Sequence, residues 1–133
     1  MTVGTFRDTI SEDTRSDQHD IGLVVLDGEE LSRSSKIGGT LPVSGVTSRL
    51  EVGESLCALG MKTGTAKCGP IVILNQGSVV FRAGGQCGDS GAPVYLITEG
   101  TAGAVGILTR GGDPNHPDAG CSTPGTFSAA ELV

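Results

Sequence analysis

The sequence predicts an all-β fold, and three observations carry that expectation. Glycine takes 22 of 133 positions, while the aromatic residues are three Phe and one Tyr with no Trp. Apolar residues fall in short runs separated by turn signals. No window sustains the 3.6-residue apolar spacing of an amphipathic helix. A chain rich in Gly, Val, Thr and Ser and punctuated in this way reads as short strands joined by tight turns.

The elements follow in order. Residues 1–19 are polar and acidic, with Phe6 and Ile10 as large apolar anchors. Asp20-Ile-Gly-Leu-Val-Val-Leu26 is a compact apolar run headed by a carboxylate and closed by Asp27-Gly28. A run of that length between turn signals predicts a strand buried on both faces. Residues 27–40 form a polar connection ending in Gly38-Gly39. Strands are expected over 40–46 and 54–60. Those over 70–74 and 78–82 flank Asn75-Gln76-Gly77, a turn with Gly where a positive φ is needed. Strands over 93–98 and 102–109 flank Glu99-Gly100-Thr101, a second hairpin signal. Residues 110–125 read as a loop rich in Gly, Pro and Asp, and 126–133 as a closing strand or helical turn. Strands at this spacing suit a closed antiparallel barrel or a sandwich.

Charge and cysteines narrow the function classes. The net charge is −6 and the nine Lys and Arg are scattered, so the basic cluster that a nucleic-acid footprint needs is missing. The longest apolar run, 21–26, falls far short of the ~20 residues that cross a bilayer. Neither a nucleic-acid nor a membrane partner is expected. Cys57, Cys68, Cys87 and Cys121 make no C-x-x-C pair, and His19 and His116 sit at no zinc-ligand spacing from them. No metal or other cofactor is expected. Two disulfides are, in one of three connectivities, and nearest-neighbour pairing gives Cys57–Cys68 and Cys87–Cys121. Disulfides imply an oxidising compartment and hence a secreted protein. Yet Met1-Thr-Val-Gly-Thr-Phe-Arg-Asp8 offers neither the basic nor the apolar region of an export signal.

The segment most suggestive of chemistry is Gly88-Asp89-Ser90-Gly91-Ala92-Pro93. Glycines on both sides of a serine permit strained backbone and close approach to a substrate carbonyl. Backbone N–H groups of Gly88 and Ser90 could converge on one point and stabilise an oxyanion, each such donor contributing roughly 3–4 kcal/mol to a transition state. The same residues also fit a Gly-rich β-turn capped by its Asp.

This hexapeptide resembles the Gly-Asp-Ser-Gly-Gly-Pro nucleophile motif of chymotrypsin-like serine proteases, with Ala92 in place of one Gly. Three further segments resemble the same family, in its chain order of Asp before Ser. Asp20-Ile-Gly-Leu-Val is similar to the triad-aspartate strand. Leu56-Cys-Ala-Leu-Gly-Met-Lys-Thr-Gly64 with Cys68-Gly69 resembles the start of the second barrel in bacterial streptogrisin-type members. Gly106-Ile-Leu-Thr-Arg-Gly-Gly112 resembles the strand lining the primary specificity pocket, and Cys121 stands where a pocket-bracing cysteine lies. The resemblance spans 20 to about 127.

The resemblance implies a six-stranded antiparallel barrel of chymotrypsin type, over 37–133. Residues 1–36 would be the last strand or two of a truncated first barrel with the linker. It makes Ser90 the nucleophile and Asp20 the residue that orients the base. Gly88 and Ser90 become the oxyanion donors. Thr109, Arg110 and Gly111 would bind a polypeptide substrate in β-fashion, and Gly84, Gly85 and Gly112 would shape an open pocket. Gly84 stands where trypsin-type members carry Asp, so an uncharged substrate side chain is expected.

Departures from the family matter. Cys87 stands one residue closer to the serine than usual. In the family Asp89 is normally neutralised by a buried cation, and streptogrisin-type members use a basic residue where Ala58 stands; Lys62 or Arg82 could substitute, and some partner or a raised pKa is expected. The family's base lies in an Ala-Ala-His-Cys-type motif, and no such motif stands in residues 1–19. Consecutive strand residues point to opposite faces, so His19 cannot easily bridge Asp20 and Ser90; it reads as solvent-facing. His116, in Asn115-His-Pro117, reads as a surface-loop residue near the pocket rim. The expectation is a serine endopeptidase whose signal peptide, pro-region and histidine-bearing strands lie upstream of Met1, with the present chain inactive and an uncovered apolar face on its first 27 residues. A non-catalytic homologue acting as an extracellular binding module is the alternative. A third reading, an unrelated β-sandwich, would be favoured by a Cys57–Cys87 bond.

Overall fold

The computed structural model describes residues 4–11, 20–27, 34–47, 49–116, 121–122 and 124–133. All regular structure among them is β, in ten strands.

The first two strands, β1 (Gly4–Ser11) and β2 (Asp20–Leu26), form a two-stranded antiparallel sheet. Residues 4–11, polar and acidic in sequence, form a strand. The structure departs from the sequence expectation in β2, which is not buried on both faces. Leu23, Val24, Val25 and Leu26 are each 45–55 % exposed, and Phe6 on β1 is 61 % exposed. A strand buried on both faces needs a layer on each side. Among the described residues β2 has a ladder to β1 alone. Its apolar content does not decide its burial; its neighbours do.

The rest is a closed six-stranded antiparallel barrel. Its strands are β5 (Ser55–Leu59), β6 (Ala66–Leu74), β7 (Ser78–Phe81), β8 (Pro93–Thr98), β9 (Thr101–Gly112) and β10 (Phe127–Leu132). They run β10-β7-β6-β5-β8-β9, and pairing of β9 with β10 closes the ring. Two short strands, β3 (Lys36–Ile37) and β4 (Leu41–Val46), extend the sheet outside it; β4 lies parallel to β9 at Val43 opposite Ala102. Closure removes the exposed sheet edges that a small open sheet would present.

The turns differ in detail from expectation. The β8–β9 connection is a two-residue turn, Glu99-Gly100, with φ of 51° and 81°, between the paired Thr98 and Thr101. Two successive positive φ values give the twist that a tight hairpin needs. Between β6 and β7, Gly77 has no positive φ. There the Asn75 N–H donates to the Ser78 carbonyl at 2.9 Å, and the chain reverses without a left-handed residue.

Inside the barrel Leu56, Ile71, Val79, Phe81, Val94 and Val105 are fully enclosed. Alternation delivers them: β7 buries Val79 and Phe81 and turns Ser78 and Val80 outward. Each such side chain contributes about 1.5–3 kcal/mol relative to exposure. A second cluster, Cys57, Tyr95 and Ala102 with Ile37, Leu41 and Leu59, packs β3 and β4 onto the barrel's outer face. The disulfide Cys57–Cys68 joins directly opposed residues of β5 and β6, and Cys87–Cys121 ties the segment before Asp89 to the β9–β10 connection. Both bridges mark an oxidising environment.

Candidate functional site

The segment between β7 and β8 contains the turn singled out in the sequence. Gly88 and Gly91 adopt φ of 104° and 88°, values open to glycine and strained for other residues. Between them Asp89 points inward, 3 % exposed, while Ser90 is exposed. The turn is sewn to β9 on one side, where the Gly91 N–H donates to the Leu108 carbonyl at 2.7 Å and the Leu108 N–H to the Ala92 carbonyl at 2.9 Å. The Asp89 N–H donates to the Gln86 carbonyl at 3.0 Å. Among the described residues, no protein acceptor takes the Gly88 or the Ser90 N–H. The turn that carries the exposed Ser90 thus holds two amides with no protein acceptor among the described residues. The Ser90 hydroxyl donates to the Thr109 carbonyl at 3.3 Å.

Asp89 departs from expectation in its partner. Among the described residues no cation pairs with it. Its carboxylate accepts the Thr63 N–H at 2.9 Å, the Gln86 N–H at 2.8 Å and the Thr63 hydroxyl. Burial pushes its carboxyl up. The Thr63 hydroxyl and the N–H groups of Gln86, Thr63 and Lys62 outweigh that and hold it below the ordinary value of 3.8. The two candidate cations serve elsewhere. The Arg82 guanidinium lies over the Phe127 ring, 5.3 Å from its centre. Lys62 lays its aliphatic stem against Gly88, where an added Cβ would come within 3.2 Å of it. No local pattern points to Thr63, which stands 26 residues before its partner.

Beside Ser90 lies an open cavity of about 500 Å³. Gly85, Ser90 and the β9 residues Thr109, Arg110, Gly111 and Gly112 all line it. Pairing of β9 with β8 ends at Ile107 opposite Pro93, so among the described residues 109–112 have no strand on that edge. Their other edge is paired with β10, Gly112 opposite Phe127 and Gly111 opposite Ser128. An extended peptide could pair along that edge by main-chain hydrogen bonds. Gly84 stands outside the lining; a Cβ there would come within 3.0 Å of the Gly125 carbonyl, and Gly85 is bridged to Gly125.

Phe127, Ser128, Asp113 and His116 also face the cavity, and of these the sequence places only His116 near its rim. His116 is exposed, its Nδ1 3.1 Å from Asp113 Oδ2. The Asn115 N–H and then the His116 ring hold the Asp113 carboxyl below the usual range. Asp20 opens β2 opposite Ser11, but its side chain lies outside the described residues, as does His19. Ser90 and five expected substrate-binding positions are thus gathered at one cavity.

Comparison with protein-family models and with curated proteins returns no match to this chain.

Proposed function

We propose that this chain carries the nucleophile barrel of a secreted serine endopeptidase of the chymotrypsin type. The observation that carries the reading is the pair of unengaged amides, Gly88 and Ser90, in the turn that presents the exposed Ser90. In the proposed reaction a peptide adds along residues 109–112 and sets a side chain in the cavity. Ser90 Oγ forms a bond to the scissile carbonyl carbon as its proton passes to a base. The carbonyl oxygen becomes an oxyanion and accepts from the Gly88 and Ser90 N–H groups. Collapse expels the amine, which takes that proton, and water hydrolyses the resulting ester by the same route in reverse. The base is an imidazole oriented by Asp20 in the resemblance that supports this reading. A serine hydroxyl without such a base is a weak nucleophile.

The test is a fluorophosphonate probe on the protein as secreted from its native source. Labelling is expected on the peptide containing Ser90 and lost in Ser90→Ala. A protein that stays unlabelled, beside a control hydrolase that labels, overturns the proposal.

A second reading, an extracellular peptide-binding module, is favoured by one observation: Ser90 Oγ donates to the Thr109 carbonyl, so its hydrogen bond is directed into the fold. It expects a peptide to bind the 109–112 edge equally well in Ser90→Ala, with no turnover in either chain.

A further inference from the structure

We infer that Thr63 is a positioning residue for the proposed reaction: it supplies by hydrogen bonding the partner that Asp89 would otherwise need from a cation, and so fixes the amide pair of Gly88 and Ser90. The inference rests on the reading of Ser90 given above, but its geometry does not. Asp89 is 3 % exposed, and an unpartnered carboxylate at that depth would be costly. Thr63 meets it with two donors, its N–H at 2.9 Å and its hydroxyl.

The bonds link two separate loops. Thr63 belongs to the β5–β6 connection, which the Gly64 N–H closes onto the Gly60 carbonyl at 2.9 Å. Gly60 is part of the fit, since a Cβ there would overlap the Asp89 carboxylate. On the other side, Asp89 accepts from the Gln86 N–H through its carboxylate and donates to the Gln86 carbonyl through its own N–H. The orientation of the backbone from 86 to 90 is therefore set through the Asp89 side chain. Groups facing that side chain are the Thr63 hydroxyl and the N–H groups of Thr63, Gln86 and Lys62. The one charged side chain in the neighbouring loop is Lys62, which touches Gly88 through its stem.

The experiment compares wild type with Thr63→Val and Thr63→Ser by two readouts. The first is the acid titration of the backbone amide resonances of residues 88–91. Its midpoint is expected to move to higher pH in Thr63→Val and to return to the wild-type position in Thr63→Ser. The second is binding of an N-acetylated tetrapeptide ending in a free phenylalanine carboxylate, whose oxygens can accept from the two amides. Affinity is expected to fall roughly tenfold or more in Thr63→Val, as loss of a hydrogen bond to a charged group implies, and to recover in Thr63→Ser. A Thr63→Val chain that titrates at the wild-type midpoint overturns the inference. So does a Thr63→Ser chain that behaves like Thr63→Val. Should Thr63→Val not fold, Thr63→Ala makes the same comparison, because it removes the donor without placing a methyl against the carboxylate. If wild type titrates as expected and yet does not bind the peptide, the proposed function fails while the role of Thr63 toward Asp89 stands.

Discussion

Ser128 donates its hydroxyl to the Ala83 carbonyl at 2.8 Å, a bond across 45 residues in which both partners are buried. Ser128 lies on β10 opposite both Phe81 of β7 and Gly111 of β9. Ala83 begins the segment that leads through Gly85 to the candidate nucleophile turn. The bond thus fixes one wall of the cavity to the barrel's closing strand. In Ser128→Ala the Ala83 carbonyl loses that donor, and the expected loss is about 1–3 kcal/mol. Urea unfolding should show a lower midpoint with an unchanged slope; an unmoved midpoint would refute the assignment.

Two glycines should respond oppositely to the same added methyl. At Gly69 on β6 a Cβ would overlap the Arg82 carbonyl, a backbone atom that cannot swing aside. Gly69→Ala is expected to lose about 1–3 kcal/mol or to shift the β6–β7 pairing. At Gly112, which lines the cavity, nothing lies within 4 Å of an added Cβ. Gly112→Ala should stay within about 0.5 kcal/mol of wild type. The paired thermal melts decide it, and equal losses at both positions would contradict the packing described.

The contrast between these positions bears on how much of the molecule can be read from its sequence. The hairpin of β8 and β9 is legible because apolar runs flank Glu99-Gly100, and the Ser90 turn because its glycines bracket two polar residues. Both signals are local. β1 and the start of β6 are not legible: Gly-Thr-Phe-Arg-Asp-Thr-Ile-Ser and Ala-Lys-Cys-Gly hold few apolar residues, and pairing with a neighbour makes them strands. The apolar content of β2 predicts burial, yet burial depends on what packs against a strand. The partner of Asp89 is hidden for the same reason. The family resemblance points to a cation, whereas the fold supplies the Thr63 hydroxyl and three backbone amides from segments distant in sequence or oriented by the turn itself.

The two disulfides should open in order. Cys57 is buried at 4 % exposure and faces Cys68 across a ladder, so that bridge is open to attack from the Cys68 side alone. Cys87 and Cys121 are both exposed. Thiolate attack needs access, so mild dithiothreitol is expected to reduce Cys87–Cys121 first. That bridge spans 34 residues against 11 for the other. Its loss releases more chain entropy, a difference of roughly 1 kcal/mol on the loop-closure model. Timed alkylation with peptide mass mapping reads the order, and initial labelling at Cys57 or Cys68 would contradict it.

Acid should act on the fold partly through Asp89. Its folded carboxyl is held below 3.8, so folding favours its ionised form. The stability this contributes is fully present above 3.8 and is lost as pH falls through the lower folded value. Asp113 is lowered too, by the Asn115 N–H and His116, and acts in the same direction. Urea midpoints measured from neutral pH downward should therefore show no loss from Asp89 until below about 3.8. In Asp89→Asn the protein should start from a lower midpoint, because the amide cannot replace a carboxylate that accepts from several donors. Its decline in acid should also be shallower, since one proton-linked group has been removed. An Asp89→Asn curve that falls parallel to wild type through the acid range would show that the buried carboxylate is not what the acid titrates.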